Sequence, residues 1–427
     1  MTLINRNKLC AGVAALAVTA GAASAKDNEL TFLGLWALFD FSRASMEELE
    51  AKFEDQNDGW DFNRNDVPFE QTLQQATSAH LAGTSTDILQ TVAGNVPALV
   101  GIGSLAPLND LFTEEEWAKL PPTTLASVSV DGQIYGMPWV PGPILPFYNR
   151  DLLQEAGLNS DNPPQTWDEM IAAMKAVCAL PDTDAGPVYG LAMRSDRIGN
   201  SAQWSIPIIY GLGGDVIDEE GKPLFNTPEV VEAWTLLQEM AADECVPIGL
   251  SIQESRSLFA SGRAAFAFEG PWGAGLFNNL SGGALEVAPD GNVWVSQMPA
   301  DKNGNVRTIG NPHHLTISVN SPNKEVAAEL IRFATTNQEF ADNFFKASNL
   351  LGSANSEVLS SGAHAESEYA QVFVEALPST IDNPIFHAKF GAMMDEWVEG
   401  LQKVLAGADP ATELEAVDKR VSRLTRR

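Results

Sequence analysis

Along the chain, short continuous apolar runs alternate with longer stretches in which apolar residues recur every three or four positions. The first pattern suits buried strands and the second amphipathic helices. Residues 30–36 (Leu-Thr-Phe-Leu-Gly-Leu-Trp) form a run of strand length. Ser45 and Glu48 have capping-box spacing, and Met46, Leu49 and Phe53 then share one helical face, so a helix is predicted to begin at Ser45. Phe69, Leu73, Ala76 and His80 or Leu81 make a second helical stripe, closed by Gly83. Residues 86–90 read as a strand, followed by a Gly- and Pro-rich stretch to Leu108. This rhythm predicts an α/β fold with helices on both faces of a sheet. Ligands in such folds sit beyond the carboxyl ends of strands, and Trp36 and residues 90–95 lie at such ends.

The stretch 131–170 is the most heavily punctuated. Asp131-Gly132 is a tight turn, a short apolar strand ends at Trp139, and a helix starts near Asp151. Thr166 and Glu169 repeat the capping-box spacing ahead of a helix over 167–179. Between them, Pro138, Pro141, Pro143 and Pro146 remove backbone donors and fix φ, which argues against a central strand or a long helix. The segment reads either as a stiff bridge between two lobes or as a surface loop. Further on, 189–193 is a predicted strand and 194–205 a loop, and Thr227 with Pro228 opens a helix to 242. A buried strand over 264–268 breaks at Glu269-Gly-Pro-Trp-Gly273, and 293–295 is another short strand. Gly310-Asn-Pro-His-His314 precedes a predicted strand over 316–319 and a helix over 324–334. Phe390, Met394, Trp397, Leu401 and Val404 keep helical spacing until Gly407.

At 427 residues, 44% hydrophobic and 19% charged, the chain has material for two or three domains with sizeable cores. A formal charge of −30 argues against nucleic acid and anionic membrane surfaces as partners, and says nothing about an uncharged ligand. Residues 1–25 have the layout of a signal peptide: Arg6 and Lys8, an apolar run over 9–20, then Ala23-Ser24-Ala25 as a cleavage site. The run is too short to span a bilayer and no later one reaches 18 residues, so an exported, periplasmic chain starting at Lys26 is expected, without membrane insertion and as a monomer. Cys178 and Cys245 remain, either as a disulfide or as two buried thiols; both readings stay open.

Of ten tryptophans, Trp167, Trp234 and Trp397 fall at core spacing within helices. Trp36, Trp139, Trp204 and Trp272 sit instead at strand ends or in Gly- and Pro-bounded loops, where indole faces can line a cleft and stack on a sugar ring. No nucleophile elbow, zinc-protease helix or P-loop is present, and Gly101-Ile-Gly103 lacks the rest of a dinucleotide fingerprint. Five histidines without i,i+4 spacing make a metal site unexpected, and no cofactor is called for. Adjacent His313 and His314 point to opposite sides of an extended chain, so one can donate into a cleft while the other is structural. Glu269 and Asp87 are candidate carboxylates, but among 56 acidic residues a glycosidase-like pair carries little weight without geometry.

Three stretches together resemble the extracellular solute-binding proteins of family 1, the sugar-binding components of bacterial ABC importers. They are DGQIYGMPW with YNRDLLQEAGL and PPQTWDEM, then LFASGRAAFAFEGPWG, then ISVNSPNKEVAAELIRFATT. The resemblance implies a two-lobe periplasmic-binding-protein fold, each lobe a central sheet flanked by helices, joined by a hinge at the Pro-rich segment. It implies an N-terminal lobe of 26–139 plus 300–333 and a C-terminal lobe of 140–299 plus 334–427. It also implies a carbohydrate held between them and passed to membrane permease subunits. By the same resemblance Trp272 is a sugar-stacking ring, with Trp139, Trp36, Trp204, Gln203, Gln90, Thr91, Glu269, Asn311 and His313 as further ligand contacts and Phe386 or Phe390 as a C-terminal aromatic. Maltose-type members place a ligand carboxylate at the hinge position occupied here by Gly142. The alternatives are a secreted glycosidase acting through Glu269, and a receptor for a sugar acid or other organic anion using Arg194, Arg197 and Arg307.

Overall fold

The computed structural model describes residues 28–84, 86–218, 222–382 and 387–425. The expected leader over 1–25 and Phe386 lie outside them. Strands β1 (Glu29–Gly34), β2 (Asp61–Asp66) and β3 (Ile88–Val92) are separated by helices Asp40–Gln56 and Thr72–Ala82. A hairpin of β4 (Ser129–Val130) and β5 (Gln133–Ile134) turns at Asp131 and Gly132, whose φ angles are 50° and 78°. Two positive φ values in succession match the twist of a two-residue hairpin. After β6 (Met137–Val140) the chain crosses to a second sheet built from β7 (Leu145–Asn149), β8 (Tyr189–Ala192), β9 (Ala264–Glu269) and β10 (Val293–Val295). It returns through β11 (Thr308–Gly310) to β12 (His313–Ile317), and much later β13 (Thr380–Asp382) pairs with β11.

Two sheets result, ordered β2-β1-β3-β12-β6 and β10-β7-β9-β8, each flanked by helices. Two segments that run between them are stitched together. Ile144 N–H donates to the Ile309 carbonyl at 3.0 Å, Asn311 N–H to that of Gly142 at 2.8 Å, and the Thr308 hydroxyl to that of Ile144 at 2.5 Å. β13 lies beside them, parallel to β11. The Pro-rich segment is therefore an inter-sheet bridge and not a surface loop. Pro138 sits on an edge strand, where a missing donor costs nothing.

The structure departs from the sequence expectations at several elements. Pro146 lies within β7, an inner strand, because β10 pairs only with 147–149 and the missing N–H falls beyond that ladder. The helix expected from Ser45 begins at Asp40; Ser45 is buried at 2%, inside the helix face that covers the sheet. The strand expected over 316–319 begins at His313, paired with Val92. Helix Gln338–Ser348 was assigned to the second lobe, yet it packs on Asp40–Gln56: Asn343 Nδ2 donates to Glu48 at 3.1 Å, and the Phe344 ring lies 5.4 Å from that of Trp139. The capping box of Thr166 and Glu169 and the Thr227 cap both form. Cys178 and Cys245 are disulfide-bonded, tying the end of helix Trp167–Cys178 to the segment after helix Pro228–Ala242.

Candidate functional site

Between the sheets lie two adjoining cavities of about 270 and 280 Å³ that share Phe69, Gln203 and Asn311 on their walls. The first is aromatic. Trp36, just after β1, and His313, at the start of β12, come from the first lobe; Trp272, just after β9, and Trp204 come from the second. Trp36 and His313 have ring centroids 4.6 Å apart, and Trp272 presents its edge to the same imidazole at 6.4 Å. Trp36, Trp204 and Trp272 are each more than nine-tenths covered, yet each contributes to the wall. The second cavity lies past the end of β3, where Gly94 and Asn95 face Gly310, Phe390 and Asp395.

Trp272 is held from four sides. The strand β9 ends at Glu269, and the turn that follows fits only small residues: a Cβ on Gly270 would sit 2.4 Å from the indole. Glu269 accepts the indole N–H at 2.5 Å and receives Arg256 through Nε at 2.6 Å and Nη2 at 3.1 Å. The Tyr369 hydroxyl donates to the Pro271 carbonyl at 2.6 Å and accepts from Ala274 N–H at 3.3 Å. From the hinge, a Cβ on Gly142 would stand 3.2 Å from the indole and 2.6 Å from the Asn311 carbonyl oxygen. No side chain fits there, so the hinge carboxylate that the resemblance would imply has no place at residue 142.

His313 is neutral. Burial pushes its pKa down to about 3. The Gln90 carbonyl oxygen is taken by Leu35 N–H at 3.1 Å, which leaves its amide nitrogen to donate to His313 Nδ1 at 3.2 Å. That assignment puts the ring proton on Nε2, an N–H without a partner among the described residues. His314, on the other side of the strand, is also held near 3 by burial, with its Nε2 3.4 Å from the Ser127 hydroxyl.

The sequence-derived candidates divide. Trp36, Trp204, Trp272, Gln203, Asn311, His313 and Phe390 stand on the cavity walls. Trp139 does not: it is fully buried between its strand and Phe344, because β6 turns it away from the cleft and the bridge only begins afterwards. Gln90 and Thr91 lie in inner strand β3, covered on both faces, and the wall is formed instead by residues 92–95 just beyond them. Glu269 backs Trp272 and is closed off by Arg256. Asp87 accepts from Thr31 N–H at 2.8 Å and from the Thr31 and Ser321 hydroxyls at 2.7 and 2.5 Å, a structural knot. Arg194 reaches the aromatic cavity but its Nε is paired with Asp196 at 2.8 Å; Arg307 lies outside both cavities, paired with Asp215 at 2.9 Å. Sequence reasoning misses Phe39, Phe41 and Arg256, places Asn95 only within the strand-end stretch 90–95, and assigns Phe69 to helix packing. Among the described residues no three His, Cys, Asp or Glu side chains gather as a metal site, and no helix is long and apolar enough to cross a membrane.

Comparison with known proteins gives a consistent picture. The family described as bacterial extracellular solute-binding protein matches residues 48–371. A binding protein of Brucella abortus is 27% identical over 290 residues, 67% of each chain. The sn-glycerol-3-phosphate-binding periplasmic protein of Rhizobium meliloti is 26% identical over 242 residues, 54% of this chain and 53% of its own. Among solved structures, an ABC transporter solute-binding protein of Thermotoga lettingae bound with α-D-tagatose superposes with a TM-score of 0.80 at 23% identity, covering 93% of this chain and 99% of that one. One of Agrobacterium radiobacter in complex with ribitol gives 0.75 at 20%, covering 93% and 99%.

Proposed function

The chain belongs to the bacterial extracellular solute-binding protein family, and from that premise we propose that it is the exported, periplasmic receptor of an ABC importer. In this reading it binds a neutral carbohydrate between its lobes and presents it, as a monomer, to the membrane permease. One observation carries the proposal: Trp36 and Trp272, from different lobes, flank the same neutral imidazole across one cavity. Indole faces supply apolar contact to the C–H face of a sugar ring, while Gln203, Asn311 and the His313 N–H offer hydrogen bonds to hydroxyls. A ligand that touches both walls does so fully only when the lobes are together, and that difference in contact drives closure.

A neutral ligand is favoured because the guanidinium groups at the aromatic cavity are matched: Arg194 by Asp196 and Arg256 by Glu269. The solutes of relatives and neighbours include tagatose, ribitol, maltose, maltotriose and sn-glycerol 3-phosphate, so the phosphorylated class is the one to test against. A glycosidase reading needs a free carboxyl at Glu269, and that carboxylate already has three hydrogen bonds. The test is a thermal-shift screen of neutral monosaccharides, disaccharides and polyols beside sugar acids and sugar phosphates. A ligand at a hundred times its Kd is expected to stabilise the chain by about 2.7 kcal/mol. A response confined to the anions overturns the neutral assignment, and silence across all classes overturns the receptor.

A further inference from the structure

The two cavities differ in what they can hold, and they meet. Phe69, Gln203 and Asn311 belong to both walls, so nothing but a shared waist separates one from the other. On the aromatic side the walls are broad ring faces. On the other side the only charged side chain on the wall, among the described residues, is Asp395, with Asn95 as the polar group not shared with the waist. Each space is close to 300 Å³, the lower end of the range that single small ligands fill. A monosaccharide occupies one and leaves the other to water.

Resting on the receptor reading above, we propose that the cleft takes a two-unit neutral glycoside, a disaccharide or glycosyl-polyol. Its first ring lies among Trp36, Trp204 and Trp272, its linkage passes the waist at Gln203 and Asn311, and its second unit lies against Asn95, Phe390 and Asp395. Among the described residues the second space bears a carboxylate and no cation, so it repels an anionic second unit and accepts a polyhydroxylated one. The amides of Gln203 and Asn311 offer donors and acceptors to both halves, which suits a glycosidic oxygen with hydroxyls on either side. The fixed cost of immobilising a ligand is met once, so a second unit in a preformed space adds contact without repeating it.

Gly391 gives the means of testing this. It lies on the wall of the second space, in the first turn of helix Phe390–Leu405, and a Cβ there meets nothing within 4 Å. Gly391→Trp therefore has room to set an indole against that space without displacing a neighbour, and an unchanged melting curve of the unliganded protein verifies that packing is kept. The experiment is calorimetric titration of the full mature chain with glucose, galactose, fructose and ribitol, and with maltose, lactose, sucrose, trehalose and maltitol. The expected result is at least one two-unit ligand binding tenfold or more tighter than its own components, and Gly391→Trp removing that advantage. Component monosaccharides binding as tightly as any two-unit ligand, or a two-unit ligand whose affinity Gly391→Trp leaves unchanged, overturns the bipartite cleft while the receptor reading survives. No binding by any sugar of either length overturns both.

Discussion

At the scale of single residues, Glu269 separates two roles that a strand-end carboxylate can play. Its oxygens orient the Trp272 indole and neutralise Arg256, and it lines neither of the two cavities between the sheets. Glu269→Gln keeps an acceptor for the indole N–H but leaves Arg256 uncompensated in a largely covered position. A stability loss of about 2–4 kcal/mol in urea denaturation is expected, reduced from the fully buried case because Arg256 retains 17% exposure. Ligand affinity in that variant should change less than about threefold, whereas Glu269→Leu, which also frees the indole, should weaken binding by about tenfold, ~1.4 kcal/mol. Equal losses in the two variants would assign Glu269 to direct ligand contact. Position along the sequence told which tryptophans end strands, and Trp36 and Trp272 are on the wall for that reason. It did not tell which way a residue faces. Trp139 and Gln90 have the same kind of local context but point into covered interiors, and Arg256 reaches the site from a helix whose sequence carries no sign of it.

Elements were more legible than residues, since period and capping are local properties. Of the two capping boxes read from spacing, that of Thr166 and Glu169 forms and that of Ser45 and Glu48 does not, while the helix opened by Thr227 and Pro228 ends at Ala242 as its pattern predicts. The misplacements come from tertiary pairing. Pro146 sits in an inner strand because a neighbour is short, and β12 starts at His313 because β3 offers partners up to Val92. Helix Gln338–Ser348 packs on Asp40–Gln56, a contact that sequence order alone does not reveal. At the bridge the argument reverses, and geometry explains the sequence: residue 142 is glycine because its neighbours, the Asn311 carbonyl and the Trp272 ring, leave no room for a Cβ. Gly142→Ala must push the bridge strands apart by a few tenths of an ångström. We expect a cost of about 1–3 kcal/mol in thermal or urea unfolding. Ligand affinity should fall with it, since Asn311 N–H donates to the Gly142 carbonyl and moves with the bridge. Unchanged stability with unchanged affinity would mean the bridge is slack.

For the whole molecule, the place where the chain re-enters its first lobe is also where it keeps two neutral imidazoles, and this sets a pH dependence with a definite sign. His313 and His314 titrate near 3 when folded and near 6.5 when unfolded, so between those values the unfolded chain binds more protons and stability falls as pH falls. Asp382, in the hinge strand β13 opposite Gly310, works against them. Burial raises its pKa from 3.8 to about 7, so the folded chain holds the extra proton in the same window and stability falls as pH rises. Two groups oppose one. The net slope from these three grows from near zero at pH 7 to about one proton, ~1.4 kcal/mol per pH unit, by about pH 5. His314→Gln removes one of the pair while sparing the imidazole at the cleft, and the remaining histidine and Asp382 then cancel. Urea unfolding at pH 7, 6 and 5 should therefore show a loss for the natural chain and a shallower one for His314→Gln, the remainder coming from His364 and His387, whose pKa values burial also lowers. A loss of the same slope in both would place the acid sensitivity elsewhere than in the strand that links the two lobes.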